Sequence, residues 1–287
     1  MTTSKVHVVS TKVGALHVEE WGSGPRAVVC WPSLFADGPT LRGIVDALAP
    51  DHRVVVIDGP GHGQSGAPER AFSLADCAAA AMRVLDELGI ERATWVGVAW
   101  GGHVGVAAAL DHPERLDGLV VLNAPMAPWS GRRLALMRLT QALLALFGPR
   151  SFVARLIADK AIAPSAPSRE AIVGVVEAAL RRCDRQGLRV AMASAMFGRE
   201  DLTPRLGEVR VPALFVAGAE DGIFPIDVAR AQASAVPGSR FVAVERSGHH
   251  SALERPDVVV PLVREAIEGW SVTSPSARRV ASEIASP

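Results

Sequence analysis

Tyrosine is absent from the 287-residue sequence, cysteine occurs three times, and neither sign of charge is in excess, since 30 basic residues balance 30 acidic ones. Cys30, Cys77 and Cys183 are odd in number and follow no metal-ligand spacing, which predicts buried, reduced thiols in a cytoplasmic protein. The charge balance gives no electrostatic case for nucleic acid or an anionic membrane surface. The first residues lack the apolar stretch of a signal peptide, and no segment is apolar for the length of a bilayer.

What the sequence does contain is a large apolar fraction in alternating strands and helices. Hydrophobic residues make up 49% of the chain, which suits an α/β domain carrying an insertion. Apolar patterning predicts strands at 6–11, 14–20, 27–31, 53–57, 93–97, 119–122, 211–216 and 240–244, and helices at 41–48, 73–89, from 100 onward and at 256–270. Right-handed crossovers between such strands build a parallel sheet with helices on both faces. From about 126 to 202 the pattern is helical, without a strand-like run.

The segment 97–102, Gly-Val-Ala-Trp-Gly-Gly, lies where a buried strand turns into a helix. Small residues on both sides of the apex are typical of the strand-to-helix turn G-x-S-x-G, which presents a nucleophile at strained dihedral angles. The apex here is Ala99, and a methyl group cannot attack a carbonyl. The sequence therefore combines the surroundings of a nucleophile with a residue that cannot be one.

Four segments with chemically useful residues follow predicted strands in a fixed order, at 58–65, 97–102, 218–222 and 247–250. Ligand sites of open α/β sheets form at the carboxyl ends of the strands. In this order, and around a helical insertion, the segments resemble the α/β-hydrolase family over roughly residues 12 to 270. The resemblance implies an α/β-hydrolase fold with a mostly parallel eight-stranded sheet, helices on both faces and an inserted helical cap.

The resemblance also implies how the chain is divided. The core domain is expected at 1–124 and 203–271, and the helical cap at 125–202 between its two parts. The residues at 272–287, rich in Ser, Ala and Pro, are expected to form a flexible tail.

The family's chain order of nucleophile, acid and histidine falls on Ala99, Asp221 and His249. Asp221 directly follows an apolar strand, which favours it as the acid over an ordinary turn residue, and Glu220 is the fallback. His249 directly follows a glycine, as the family's histidine does. His250 is then interpreted as a packing or supporting residue.

Other polar residues near these segments are given no part in bond breaking. His103 lies one helical turn after Ala99 and is interpreted as a satisfied or half-exposed helix residue. Asp58 and His62 are expected to hold their loop near the site by hydrogen bonds. Some relatives carry the acid after the strand that ends near residue 122, but Asn123 and its neighbours offer no carboxylate there.

Oxyanion stabilisation needs two backbone N–H groups aimed at one point. The resemblance places one at Trp100, directly after the apex. The other normally follows a His-Gly pair, but this chain has Trp31-Pro32 in that place, and proline has no N–H to donate. The second donor is therefore expected at Ser33 or Leu34. The implied mechanism needs no metal and no organic cofactor.

With a serine at position 99, the resemblance implies hydrolysis of a carboxylic ester or lactone through an acyl-enzyme. His249 would act as general base and then as general acid, and Asp221 would orient it. Loss of the nucleophile costs about six decades of turnover, or roughly 8 kcal/mol, in a serine protease of another fold. The chain with Ala99 is therefore expected to be nearly inactive. Deliberate replacement of serine to trap a substrate is the favoured origin of Ala99, and natural loss is the alternative.

Other enzyme and binding functions remain open. Asp-Trp-Gly-Gly turns occur in epoxide hydrolases and haloalkane dehalogenases, but the former protonate the epoxide with cap tyrosines, which this chain lacks. Dehalogenases hold the halide with a tryptophan, for which Trp100 fits, and with a second donor that residues 31–33 do not clearly supply. A His249–Asp221 base without a nucleophile, as in cofactor-free oxygenases or lyases, is one further alternative. A binding protein that only senses its ligand is the other.

Methionine and aromatic residues near the predicted site suggest a largely apolar substrate. The predicted pocket residues are Leu34, Met126, Trp129, Met192, Met196 and Phe224. Arg132 and Arg133 are interpreted as a solvated face, with a carboxylate anchor as the less favoured alternative. The expected partner is a small apolar ester or lactone, and a homodimer is left open.

Overall fold

The computed structural model describes residues 4–273, with the backbone alone for 271–273. Its strands are β1 Lys5–Thr11, β2 Gly14–Trp21, β3 Ala27–Trp31, β4 Arg53–Ile57, β5 Ala93–Val98, β6 Leu116–Leu122, β7 Ala213–Gly218 and β8 Arg240–Val244. They form one sheet in the order β1-β2-β4-β3-β5-β6-β7-β8. Only the pairs β1–β2 and β2–β4 are antiparallel, and the others are parallel. The predicted eight-stranded, mostly parallel sheet is confirmed.

Helices cover both faces of this sheet. They are α1 Arg42–Leu48, α2 Leu74–Glu87, α3 Trp100–Asp111, α4 Gly131–Phe147, α5 Phe152–Ala161, α6 Arg169–Arg182, α7 Arg185–Ala191, α8 Ile226–Ser234, α9 Ser251–Glu254 and α10 Pro256–Thr273. Successive strand residues point to opposite faces. Val29 and Val55 therefore pack in the cluster beneath α2 and α3, whereas Val28 and Val54 pack in the cluster beneath α1 and α10.

Ser73 is the N-cap of α2 and sets the start of this helix, which precedes β5. The Ser73 hydroxyl accepts from the Asp76 N–H at 3.0 Å, and the Asp76 carboxylate accepts from the Ser73 N–H at 2.9 Å. This reciprocal pair satisfies two N–H groups that the first helical turn leaves unpaired. The helix ends before Gly89, whose φ of +64° suits glycine.

Helices α4 to α7 and a π-helical turn at 192–197 occupy the chain between β6 and β7. Several contacts fasten this segment to the rest of the molecule, and two of them reach residues that precede β5 in the chain. The Arg182 guanidinium donates to both oxygens of the buried Asp37 carboxylate, at 2.6 and 3.0 Å. The Phe72 N–H donates to the Ser194 hydroxyl at 3.1 Å. The segment therefore lies over the sheet's carboxyl edge and not apart from it.

Some features differ from the sequence prediction or add to it. Helices α8 and α9 were not predicted, because α8 buries mainly alanines and α9 is a single turn, too short to show helical periodicity. Cys30, Cys77 and Cys183 are buried and unpaired, as predicted. The predicted tail at 272–287 lies outside the described residues except for 272 and 273, which end α10. Within residues 4–273, no helix is both long and apolar enough to cross a bilayer.

Candidate active site

Ala99 forms the junction between β5 and α3 at the carboxyl edge of the sheet. Its φ of +48° and ψ of −105° are strained for a residue with a side chain. Its N–H donates to the Leu122 carbonyl at 2.7 Å, and its carbonyl accepts from the His103 N–H at 3.1 Å. Hydrogen bonds to β6 and to α3 therefore hold the junction on both sides of Ala99. Ala99 also lines the cavity described below.

Glycines on both sides of Ala99 make this sharp junction sterically feasible. A Cβ atom on Gly97 would collide with the carbonyl oxygen of Gly101. A Cβ atom on Gly101 would in turn collide with the carbonyl oxygen of Trp31 at the end of β3. Close approach of β3, β5 and α3 therefore requires glycine at both positions, which is the physical basis of the sequence pattern.

His249 and Asp221 form a buried pair, with Nδ1 and Oδ2 2.8 Å apart. The other carboxylate oxygen of Asp221 accepts from the N–H groups of Ile223 and Phe224 at 2.8 and 2.9 Å. Burial alone would raise the pKa of Asp221, but the charge of His249 and these hydrogen bonds hold the pKa below its ordinary value. Burial alone would lower the pKa of His249, but the adjacent carboxylate raises the pKa above its ordinary value. Because Nδ1 is engaged, Nε2 is the ring nitrogen left to exchange a proton.

Asn123 is a residue of this site that the sequence analysis did not recognise. It follows β6, is fully buried, and has a φ of +54°. Its Nδ2 donates to Asp221 Oδ2 at 3.1 Å and to the Gly248 carbonyl at 2.9 Å, and its Oδ1 accepts from the Ser251 hydroxyl at 2.6 Å. One amide therefore joins the loop of the acid, the loop of the histidine and α9. The sequence offers one signal for it, a polar residue directly after a central strand.

Glu254 holds the histidine loop against the end of α5. Its carboxylate accepts from the N–H groups of Gly248, His250 and Ala163 at 2.8, 2.9 and 2.8 Å. The histidine between the first two donates its own N–H to the Ala161 carbonyl at 2.8 Å. Burial raises the pKa of Glu254, although the three N–H groups favour its charged form. The segment between β6 and β7 thus contacts the histidine loop directly.

The fallback residues for the acid and the histidine take other positions. Glu220 is exposed and accepts from the Ser165 hydroxyl, so Asp221 and not Glu220 is paired with His249. The His250 ring lies edge-on to the His249 ring, with centroids 5.8 Å apart. Burial lowers the pKa of His250 to about 3, which keeps this ring neutral.

Asp58 and His62 lie on the loop after β4. The Asp58 carboxylate accepts from the N–H groups of Gly38 and Gln64 at 2.8 and 3.0 Å, and His62 Nδ1 lies 3.1 Å from the Pro60 carbonyl. These hydrogen bonds hold the loop, as the sequence predicts.

Within residues 4–273, no three or more His, Cys, Asp or Glu side chains come together as in a metal site.

A cavity of about 420 Å³ lies between the sheet edge and the helices α4 and α5. Ala99, His249 and His250 line its floor. Its walls are largely apolar and include Leu34, Trp129, Leu136, Met137, Leu139, Leu143, Leu156, Ile157 and Met196. Three of the predicted pocket residues, Leu34, Trp129 and Met196, are therefore in the wall.

The other three predicted pocket residues do not line this cavity. Met126 is fully buried in the core, where its N–H donates to Gln232 Oε1 at 3.3 Å. Met192 lines a second cavity of about 480 Å³ beside α4 and α7. Phe224 packs against Ala217 beneath α8. Each is apolar and near the site in sequence, but tertiary packing decides which way such a side chain points.

The residues expected to supply N–H groups to an oxyanion border the same cavity. Ser33, Leu34 and Trp100 all line the cavity. The Ser33 hydroxyl donates to the Leu34 carbonyl at 3.1 Å, so it points back into its own loop. The Trp100 ring packs edge-on against Trp31 and is stacked on Phe72, with its indole N–H buried and unpartnered among the described residues.

His103 and Arg199 border the same cavity, and His103 differs from its sequence interpretation. His103 is buried, not half-exposed, and neither ring nitrogen forms a hydrogen bond of normal geometry with a described residue. Burial and the charge of Arg199 lower the pKa of His103 well below its ordinary value, and the Pro125 carbonyl offsets this only in part. The Arg199 guanidinium, which the sequence analysis did not single out, donates to the carbonyls of Pro125, Met126 and Ala127. Burial lowers the pKa of Arg199 to about 10.

Known hydrolases are similar to this chain over most of its length. The family model described as alpha/beta hydrolase fold matches residues 26–140. The pimeloyl-[acyl-carrier protein] methyl ester esterase of Edwardsiella ictaluri is 30% identical over 267 residues, which cover 91% of this chain and 100% of that protein. The putative carbamate hydrolase RutD of Azorhizobium caulinodans is 29% identical over 221 residues, which cover 76% of this chain and 82% of that protein.

Solved structures share the fold. The enol-lactonase from Burkholderia xenovorans LB400 superposes with a TM-score of 0.84 at 23% identity, covering 91% of this chain and 100% of that one. A thermophilic esterase from Thermogutta terrifontis superposes equally well, with a TM-score of 0.84 at 23% identity, covering 93% of this chain and 99% of that one. A mostly parallel sheet with a strained strand-to-helix apex and a histidine–aspartate pair at one cavity is the architecture of the α/β hydrolase fold. The chain belongs to the α/β hydrolase family, as the resemblance in its sequence indicates.

Proposed function

We propose that this protein acts on a carboxylic ester or lactone with a largely apolar body, through a site built around position 99. The observation that carries the proposal is that the strained junction at Ala99 and the His249–Asp221 pair meet at one apolar cavity. Such strain costs about 1–3 kcal/mol, so its presence supports a role for the side chain presented there. The names of similar proteins, a methyl ester esterase and an enol-lactonase, support the same class of bond. The buried, unpaired cysteines support a cytoplasmic location.

A serine at position 99 would complete the reaction site. Its hydroxyl would attack the carbonyl carbon while His249 Nε2 accepts the proton and then passes it to the leaving alkoxide. Asp221 would hold the opposite ring nitrogen and stabilise the imidazolium. The N–H of Trp100, with that of Ser33 or Leu34, would stabilise the oxyanion. Water activated by the same histidine would release the acid and restore the serine.

With Ala99 in place, the cavity, the histidine–aspartate pair and the N–H donors remain, but the nucleophile is missing. We therefore propose that the chain binds its ester without forming an acyl-enzyme. Turnover would lie about six decades below that of the serine form, by analogy with loss of the nucleophile in a serine protease. In this proposal residues 125–202 act as a cap that supplies the apolar walls.

The test compares the chain with its Ala99→Ser variant on a panel of aryl esters and lactones. The serine variant should hydrolyse at least one member and become covalently labelled by a fluorophosphonate probe, because its hydroxyl lies beside a base. The unaltered chain should do neither. Adding His249→Ala or Asp221→Asn to the serine variant should abolish both signals. Equal hydrolysis by the unaltered chain and its serine variant would overturn the role assigned to position 99.

A second candidate is a base-catalysed reaction without a covalent intermediate. It is favoured by one observation: the pair His249–Asp221 is intact, and the methyl group of Ala99 leaves the cavity floor beside it unobstructed by a hydroxyl. A proton could then be taken from water or from the substrate itself. This candidate requires turnover by the unaltered chain that His249→Ala abolishes.

A further inference from the structure

Helix α4 has an apolar side that is open to solvent. Of its residues only Leu144 is buried. Four apolar residues of α4 lie on one side of the helix, because they are three to four residues apart or separated by a whole number of turns. They are Leu136, Leu139, Leu146 and Phe147. Each of them is between 49% and 69% exposed. A side of this composition normally packs against something.

Helix α5 extends this side of α4. Phe152 and Leu156 are similarly exposed, and the rings of Phe147 and Phe152 lie 5.3 Å apart. The six side chains, Leu136, Leu139, Leu146, Phe147, Phe152 and Leu156, are called the apolar face below. Leu136, Leu139 and Leu156 also line the cavity that holds Ala99. The apolar face therefore begins at the cavity wall and continues onto the outer surface.

Basic residues predominate in the part of the sequence that carries the apolar face, although one of them, Arg155, is paired with Glu170 and Glu177. Between Asp117 and Asp159 the sequence holds five arginines and no acidic residue. Arg132 and Arg133 precede Leu136 by one turn, on the same side of α4, and both are exposed. Neither forms an ion pair with another described residue, so their charges are available to a partner.

Basic and acidic residues are also unevenly divided between residues 125–202 and the rest of the chain. Residues 125–202 contain twelve lysines and arginines against six aspartates and glutamates, a net charge of +6. Because the whole chain is neutral, the remainder carries −6. The neutral total, which gave no electrostatic case for an anionic surface, therefore conceals an excess of basic residues in 125–202, the segment that carries the apolar face.

We propose that the apolar face docks on an anionic lipid surface, with its leucines and phenylalanines in the headgroup boundary and Arg132 and Arg133 on lipid phosphates. Exposed leucine and phenylalanine beside arginine is the composition that binds at such a boundary. Pairing of two copies through this face would bring two cationic regions together, which favours an anionic partner over a second copy. Continuity with the cavity favours lipid over an acidic protein, because an apolar ligand dissolved in lipid could enter without crossing water. This docking does not require any reaction at position 99.

The experiment measures co-sedimentation of the full chain with vesicles of phosphatidylcholine alone and of phosphatidylcholine mixed with phosphatidylglycerol. Binding is expected to the mixed vesicles, and it should weaken at high salt because the phosphate contacts are screened. Little binding is expected to the neutral vesicles, since the apolar face is small and needs the charges as a second attraction.

Two double variants test the two parts of the surface. Leu146→Gln with Phe147→Gln removes exposed apolar groups that lie outside the cavity wall and keeps good helix formers. Arg132→Gln with Arg133→Gln should weaken binding roughly thirtyfold, from about fivefold for each basic residue near a lipid surface. Matched controls on the far side are Val6→Gln with Val8→Gln, on exposed positions of β1, and Arg26→Gln with Arg210→Gln. The controls should leave binding unchanged.

Three results would overturn the proposal. The first is no binding to mixed vesicles by the folded chain. The second is equal loss of binding in the control variants, which would show a non-specific charge effect. The third is a dimer in sedimentation equilibrium that Leu146→Gln with Phe147→Gln dissociates, because the apolar face would then be covered by a second copy.

Discussion

The backbone angles of Ala99 are ones that glycine adopts more easily than alanine. Its neighbours nevertheless hold it in this conformation, which presents the side chain at position 99 to the cavity. The N–H of Ala99 is tied to Leu122 and its carbonyl to His103, so the apex cannot relax without breaking two hydrogen bonds. At the same scale, Asn123 Nδ2 and His249 Nδ1 converge on one oxygen of Asp221. The positions of single polar atoms are therefore set by neighbours far away in sequence.

Replacement of Asn123 by alanine should disturb the site more than replacement of its partner Ser251. Asn123→Ala removes three buried hydrogen bonds and leaves the Gly248 carbonyl without its amide donor, so the free energy of unfolding should fall by about 2–3 kcal/mol. In the Ala99→Ser background, kcat on an aryl ester should fall roughly a hundredfold, because the acid and histidine loops lose their common link. Urea denaturation and steady-state kinetics measure the two effects.

The control for this prediction is Ser251→Ala, which keeps both donors of Asn123 in place. It should lower the free energy of unfolding by only about 1 kcal/mol and leave kcat within a few-fold. Equal kinetic effects of the two substitutions would show that Asn123 acts on stability alone and does not position Asp221 and His249.

At the scale of elements, the site depends on how closely β3, β5 and α3 approach one another. That approach leaves no room for a Cβ atom at Gly97 or Gly101. The histidine loop is placed in the same way by its neighbours, because Glu254 and the Ala161 carbonyl bond it to the end of α5. The elements that carry the site thus constrain one another, and a shift of one should displace the others.

Gly97→Ala should be strongly destabilising. The added methyl group would meet the Gly101 backbone, which cannot move without shifting α3, so the free energy of unfolding should fall by about 3 kcal/mol. Gly174→Ala is the matched control, since Gly174 lies within α6 and no atom is near its Cβ position. It should raise the free energy of unfolding by about 0.5–1 kcal/mol. If Gly97→Ala were as well tolerated as Gly174→Ala in urea denaturation, the close packing at the apex would be refuted.

At the scale of the whole molecule, much of the fold could be predicted because it follows from local periodicity. Buried strands are short apolar runs, and their carboxyl ends share one edge. The resemblance of the segments at these ends to the α/β-hydrolase family then implied Ala99, Asp221 and His249 together. What could not be predicted depends on contacts between distant residues. Asn123 meets partners near the other end of the chain, and the side-chain directions of Met126 and Phe224 depend on how α8 packs.

The pH dependence of stability is a property of the whole molecule, and the buried histidines give it a definite sign. His250 is neutral in the fold, with a pKa lowered to about 3 by burial, so unfolding takes up a proton below pH 6.5. Its contribution to stability is complete above pH 6.5 and is lost as the pH falls toward 3, by about 1.4 kcal/mol per pH unit. His103, with a pKa well below its ordinary value, acts in the same direction.

The prediction is that the chain loses stability between pH 6.5 and pH 5, and that His250→Gln loses about 2 kcal/mol less over this interval. Urea denaturation at the two pH values measures both changes. His249 has the opposite sign, because its pKa is raised in the fold, and its contribution is lost as the pH rises through that raised pKa. The same acid sensitivity in His250→Gln as in the parent chain would refute a neutral, buried His250.

The most direct test of the central claim is a four-way comparison of ester hydrolysis, with alanine or serine at position 99 and histidine or alanine at position 249. The account predicts that His249→Ala lowers the rate by about four to six decades when serine is present, because the histidine acts on that hydroxyl. With Ala99 present, the same substitution should have no measurable effect. A loss of the same size with Ala99 present would contradict the account, because the His249–Asp221 pair would then act without a nucleophile at position 99.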